Sequence, residues 1–204
     1  MRNAIFIWIP KTGGLSVFDA LKKYGGRKHL AFGRGPFERN GITTYGHISL
    51  RHLIAKNYIS QKFADNAFKF CFIRNPYDRA VSLWAYLRLK NYIISSWSFK
   101  RFCHRLIERR VPEIGLHNTR GLSHCNPQVK WIRGIDLIQI GRFETLQSDF
   151  DKIMDHLELS RTKLSHRNKS KHGDYREYYD TESLGIIQQV YAEDFATFGY
   201  SEEL

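Results

Sequence analysis

The chain has 204 residues, of which 42% are hydrophobic and 25% charged, with a formal net charge of +12 at pH 7 and a sequence pI near 9.7. This is the balance of an ordinary globular protein, and the length suits one domain over residues 1–204 better than two. The positive excess calls for an anionic partner, whether nucleotide, nucleic acid, sulfated or uronic glycan or acidic membrane surface, and does not choose among them.

Three unclustered cysteines, Cys71, Cys103 and Cys125, form no CxxC pair. They argue against a disulfide framework and a zinc site, and for a reducing compartment. The apolar start of the chain is shorter than the ~20 residues a membrane span needs and carries no cleavage site of a signal peptide.

In chain order, Ala4 to Ile9 is a nearly continuous apolar run, the pattern of a strand buried on both faces. Val17, Phe18, Leu21 and Tyr24 then fall at helical spacing, which predicts a helix over 15–24. In "TTYGHISLRHL" His47 stands at the end of a short β-like stretch, before a helical segment with Leu50, Leu53 and Ile54. "FKFCFI" (68–73) predicts a second buried strand, stopped by Asn75-Pro76. A helix over 77–89 follows, with Pro76 in its first turn, where a missing N–H costs least. A basic run at 100–110 reads as helix, 137–140 as a third strand, and 146–157 and 181–198 as helices. Strands alternating with helices predict an α/β fold with a mainly parallel central sheet flanked by helices. Ligands in such sheets bind beyond the carboxyl ends of the strands.

Two segments lie at that edge. Pro10-Lys11-Thr12-Gly13-Gly14-Leu15-Ser16 joins strand to helix. Its glycines permit a tight turn and close approach of a ligand, and a helix N-terminus beyond them offers amides and a positive dipole end. Thr12 and Ser16 add hydroxyls and Lys11 a full charge. A plain strand–helix turn with an exposed lysine would read the same way. The Walker pattern GxxxxGK[ST] is absent, which disfavours a nucleoside-triphosphate kinase. In "FCFIRNPYDRAVSLWAY", Arg74 stands at the strand end and Ser82 on the second turn of the next helix. A guanidinium fork and a hydroxyl there suit a phosphate monoester. Read alone, Arg74 could equally cap a helix or pair with a carboxylate, and Arg79 could point to the same side or into solvent.

PKTGG-x-S after the first strand, followed by R-N-P-Y-D-R-x-V-S, resembles the sulfotransferases that use 3′-phosphoadenosine 5′-phosphosulfate (PAPS). The closest likeness is to the carbohydrate branch, of heparan 2-O- and chondroitin type. It continues through "YGHIS" (45–49), "HCNPQ" (124–128), "GRFETLQSDFDKI" (141–153), "NKS" (168–170) and "VYAEDFATFGY" (190–200). The first two motifs are specific and the later ones supporting. The resemblance implies a single sulfotransferase domain with a P-loop-like nucleotide-binding fold and PAPS as donor, without a metal. Lys11, Thr12, Gly13, Gly14, Leu15 and Ser16 correspond to the family's 5′-phosphosulfate loop, with Leu15 replacing the usual Thr and losing one hydroxyl contact. Arg74 and Ser82 correspond to the pair holding the 3′-phosphate. Ser170 and Lys171 fall, more loosely aligned, where relatives close a loop over the nucleotide. The short chain, without the membrane anchor typical of luminal relatives, points to a cytoplasmic enzyme.

The chemistry accounts for the order of residues in the turn. In-line sulfuryl transfer, like phosphoryl transfer, builds charge on the leaving oxygen, so a lysine ahead of the glycines can serve that bridging oxygen. The acceptor hydroxyl needs a base, and histidine's unperturbed pKa suits it. Of nine histidines, His47 matches the catalytic base of the carbohydrate branch. His52 reads as a surface residue, and His124 is a weaker candidate for substrate or loop contacts. The 100–110 run reads as a solvated face or a guide for an acidic glycan, the acceptor being expected to be a carbohydrate. The competing readings are a pseudoenzyme of the same fold and a basic nucleic-acid-binding module. The latter shows no recognisable signature and leaves the glycine turn unexplained, so no nucleic-acid partner is expected.

Overall fold

In the computed structural model of the protein, which describes residues 3–24, 27–28, 42–44, 46–112, 122–165 and 173–204, the N-terminal apolar run forms β1 (Ala4–Ile7), buried throughout. The strand ends two residues before the run does, because the Ile9 N–H turns back to the Ile7 carbonyl at 3.1 Å. With β2 (Arg27–Lys28), β3 (Ile42–Thr44), β4 (Phe68–Ile73) and β5 (Ile138–Arg142) it makes a sheet of order β2-β3-β1-β4-β5. Every pairing is parallel. The third predicted strand starts one residue later than expected and runs two residues further, to Arg142. Leu137 sits at φ 55° and is 94% exposed, so pairing starts after it.

The chain divides into two compact units, residues 1–73 with 131–168 and residues 74–130 with 169–204. The first contains the sheet with α1 (Gly14–Leu21), α2 (Leu50–Ala55), α3 (Gln61–Asn66) and α7 (Leu146–His156). In β1 and β4 the register sets Phe6 beside Phe70 and Ile7 beside Cys71. Phe6, Phe70 and Phe72 pack with Val17 and Leu21 of α1 and with Phe150, Ile153 and Met154 of α7. The alternate residues Ile5, Ile7, Cys71 and Ile73 are buried as well, which is why these two strands read as unbroken apolar runs instead of alternating. Gly141 lies opposite Phe72, and a Cβ there would come within 2.5 Å of its ring. Only glycine fits that position without moving the core.

The second unit is helical: α4 (Pro76–Leu89), α5 (Phe99–Ile107), α8 (Thr181–Val190) and α9 (Ala192–Phe198). Between the units in sequence stands the short α6 (Val129–Ile132). The core of the second unit includes Tyr77, Val81, Leu87, Phe99, Phe102, Ile187, Tyr191 and Phe195. Asn75 starts α4 by accepting from the Tyr77 and Asp78 amides, with Pro76 in the first turn as expected. Asp180 and Ser183 close a reciprocal capping box at the start of α8. The single helix expected over 181–198 is broken at Tyr191, whose backbone leaves the helical region at φ −112°, ψ 22°. Tyr191 is fully buried with its hydroxyl donating to the Cys125 carbonyl at 3.0 Å. Tertiary anchoring of one side chain thus overrides a helical pattern. Among the described residues no helix is long and apolar enough to cross a membrane.

Candidate functional site

The sheet order places a topological switch between β1 and β4. From β1 the chain runs through α1 to β2 and β3 on one side, while β5 pairs with β4 on the other. Open parallel sheets bind ligands outside the carboxyl ends of the strands at such a point. The turn that leaves β1 is built for close approach. Lys11 has φ 69° and Gly13 φ 80°, both left-handed. For lysine that conformation is costly and for glycine it is not. The Thr12 hydroxyl donates to the Ile9 carbonyl at 2.9 Å, so its proton closes the turn and what it can offer a ligand is a lone pair or its amide.

Gly13 serves as N-cap of α1 with no side-chain cap, and the first helical turn holds no acidic residue. Its carbonyl accepts from the Ser16 and Val17 amides. The first turn, with no side-chain cap, and the dipole behind it give an arrangement with the chemistry to receive an anion. Both glycines are also fixed by packing. A Cβ on Gly14 would lie 1.8 Å from Trp8 Nε1, and one on Gly13 would meet Leu146 and Phe143. Leu15 is half-buried and Ser16 buried.

His47 belongs to the same unit and is tied to the same turn. Its Nδ1 lies 2.9 Å from the Trp8 carbonyl oxygen, and its ring meets Trp8 edge-on at 5.2 Å and Trp131 at 6.4 Å. A carbonyl only accepts, so Nδ1 carries the proton and the lone pair of the neutral ring sits on Nε2. Trp8 stands three residues before Lys11. One short segment therefore orients the histidine and presents the lysine. His52, expected on the surface, is half-buried on α2.

Arg74 and Ser82 lie in the second unit, and both are buried. Of the readings open for Arg74, the carboxylate pair is realised. Nε donates to Asp78 Oδ2 and Nη2 to Asp78 Oδ1, each at 2.7 Å. This bidentate pair occupies one edge of the guanidinium. The spacing of four between Arg74 and Asp78 was a visible signal of pairing, and reading the segment for anion ligands alone passes over it. The Arg74 backbone is held too: its N–H donates to Gln128 Oε1 at 2.9 Å and its carbonyl accepts from Gln128 Nε2 at 2.8 Å.

Arg79 does not point into solvent. It is fully buried, donates to the carbonyls of His124 and Asn126 at 2.9 and 3.0 Å, and lies over the Tyr191 ring at 5.4 Å. His124 is buried with its carbonyl in this latch. In the 100–110 run, Lys100 is bound to Asp180 and Glu182, His104 to Glu182 and Arg105 to Glu108, so much of its charge is matched on the spot. Ser170 and Lys171 lie outside the described residues.

A model of the sulfotransferase family matches residues 6–201. The chain belongs to this family. A sulfotransferase from Alicyclobacillus acidocaldarius has the same fold, with a TM-score of 0.53 at 17% identity over 98% of this chain and 97% of that one. Mouse sulfotransferase SULT7A1, solved with PAP, aligns with a TM-score of 0.60 at 13% identity over 95% of this chain and 84% of its own. No curated protein sequence matches the chain. The expected α/β sulfotransferase architecture is therefore the observed one.

Proposed function

We propose that this sulfotransferase moves the sulfuryl group of PAPS to a hydroxyl of a carbohydrate acceptor, with residues 1–204 acting as one sulfotransferase domain. The observation that carries the reading is the joint placement of His47 and the Lys11 turn through Trp8. A proton acceptor with a defined tautomer and a cation at a glycine-flanked anion site are what the reaction needs. The residues fit such a donor. The turn admits no Cβ at Gly14, and the helix behind it has neither cap nor acid to compete with an anion. A donor of this kind is also in keeping with the PAP bound to mouse SULT7A1.

In this reading the 5′-phosphosulfate lies on the amides of Gly13, Gly14 and Leu15 and the Ser16 hydroxyl, with Thr12 and the Lys11 ammonium beside it. Arg74 and Ser82 take the 3′-phosphate, and Ser170 and Lys171 cover the nucleotide. His47 Nε2 removes the acceptor proton as the hydroxyl oxygen bonds to sulfur. The S–O bond to the 5′-phosphate breaks in line, and its electron pair leaves on the bridging oxygen, where Lys11 meets the growing charge. The products are the sulfate ester and 3′,5′-ADP. The net charge of +12 suits an acidic glycan as acceptor, and three cysteines outside any disulfide suit a reducing, cytoplasmic setting.

Transfer of labelled sulfate from PAPS to a panel of glycans tests the reading. His47→Ala should abolish transfer while calorimetric binding of 3′,5′-ADP survives. Lys11→Ala should lower kcat by about 10²–10³, the size of a lost oxyanion-type contact. Nucleotide binding by the wild-type protein with no transfer to any hydroxyl would instead make the chain a pseudoenzyme of this fold.

A further inference from the structure

Arg74 stands where β4 has ended and α4 has not begun, and its backbone N–H and C=O both meet the side chain of Gln128. Buried peptide groups without partners are costly. Gln128, fully buried and 54 residues away in sequence, supplies both partners with one side chain. An amide can present its oxygen or its nitrogen to a given neighbour; here the Arg74 N–H and C=O fix the choice, and a third group reinforces it. Asp194 of α9 is fully buried and accepts from the Gln128 amide N–H at 2.8 Å, from Gln128 Nε2 at 3.3 Å and from the Val129 N–H at 2.9 Å. A carboxylate only accepts, so Nε2 must face it and Oε1 must face the Arg74 N–H. The loop carrying Gln128 is also tied from its other side, by Arg79 on the carbonyls of residues 124 and 126.

Burial pushes the Asp194 carboxyl up, while Arg79 and the three N–H donors around it pull it down. A loop that needed only to be packed could be held by apolar side chains without a buried charge. Here the charge orients an amide on the backbone of one arginine.

We infer that Gln128 and Asp194 are positioning residues that hold the Arg74 backbone, and so set where its guanidinium meets the 3′-phosphate of the nucleotide. The inference rests on the reading of Arg74 as the 3′-phosphate ligand. Neither residue touches the ligand. They act by locking the strand-to-helix corner, as outer-layer hydrogen bonds fix the direction of inner ligands. They therefore govern selectivity for a 3′-phosphorylated nucleotide over the same nucleotide without that phosphate.

The test is calorimetric binding of 3′,5′-ADP and of 5′-AMP to the full-length protein, alongside thermal denaturation. Wild type should bind 3′,5′-ADP more tightly, and Arg74→Ala should erase that preference. Gln128→Leu should weaken 3′,5′-ADP about 10- to 100-fold, the range seen for outer-layer partners of ligands, and leave 5′-AMP unchanged. Adding it to Arg74→Ala should cost nothing more. Asp194→Asn keeps the shape but loses acceptor capacity, and it should give the same pattern, while Asp194→Glu should restore part of the preference. If both nucleotides weaken alike in Gln128→Leu, or neither Gln128→Leu nor Asp194→Asn folds, the pair holds the scaffold alone and the inference fails. A wild-type protein that does not distinguish the two nucleotides would overturn the reading of Arg74 itself.

Discussion

At the scale of single residues, the candidate site pairs strain with fit. Lys11 occupies the left-handed region, which costs an L-residue about 1–2 kcal/mol. Lys11→Gly and Lys11→Ala both remove the ammonium and should lower kcat alike. The glycine variant should nevertheless melt higher than the alanine variant, because only alanine keeps the strained backbone. At Gly14 the sign reverses. Gly14→Ala drives a methyl into the Trp8 indole and should cost about 1–3 kcal/mol, as overpacked positions do. Since the Trp8 carbonyl orients His47, transfer should fall by more than nucleotide binding does, which kcat and KM measured together would separate. Asp78→Asn leaves the Arg74 fork with one acceptor in place of two. A stability loss of about 1.5–3 kcal/mol is expected in thermal denaturation, and saturating 3′,5′-ADP should recover part of it.

At the scale of elements, capping decides where helices start, and capping titrates. The Asp180 carboxyl at the head of α8 is held well below the usual carboxylate range, first by the Ser183 amide, then by the Ser183 hydroxyl and Lys100. A depressed folded-state value means that its stabilising effect is present above the ordinary carboxylate pKa and is lost as pH falls through the folded value. Asp194 has the opposite sign. Its carboxyl is raised by burial, so its ionisation works against the fold as pH climbs from the ordinary value through the raised one. Asp180→Asn should therefore flatten the acid limb of a stability-against-pH curve, and Asp194→Asn should flatten the rise in penalty above it. Urea denaturation at a series of pH values reads both. The break between α8 and α9 belongs to this scale as well. The periodicity of 181–198 is continuous, but the Tyr191 hydroxyl reaches the Cys125 carbonyl, and no local pattern encodes a partner 66 residues away.

At the scale of the whole molecule, the proposed acidic-glycan acceptor and the charge of +12 together predict an association rate that falls steeply with salt. Stopped-flow binding at two ionic strengths would measure it. Nucleotide binding to the native state alone should raise the melting temperature with ligand concentration, by about 2.7 kcal/mol of stability at a hundredfold excess over Kd. The sequence by itself determined the unbroken apolar strands β1 and β4, the helix after Asn75-Pro76 and the glycine turn at Lys11. Each of these rests on forces acting within a few residues: burial periodicity, a capped first turn, a glycine backbone. Only the tertiary structure decided that Trp8 hands His47 its tautomer, that Asp78 takes one edge of Arg74, and that Gln128 and Asp194 hold its backbone. Hydrogen bonds and close contacts act over a few ångströms, so those between distant segments exist only once the chain has brought them together.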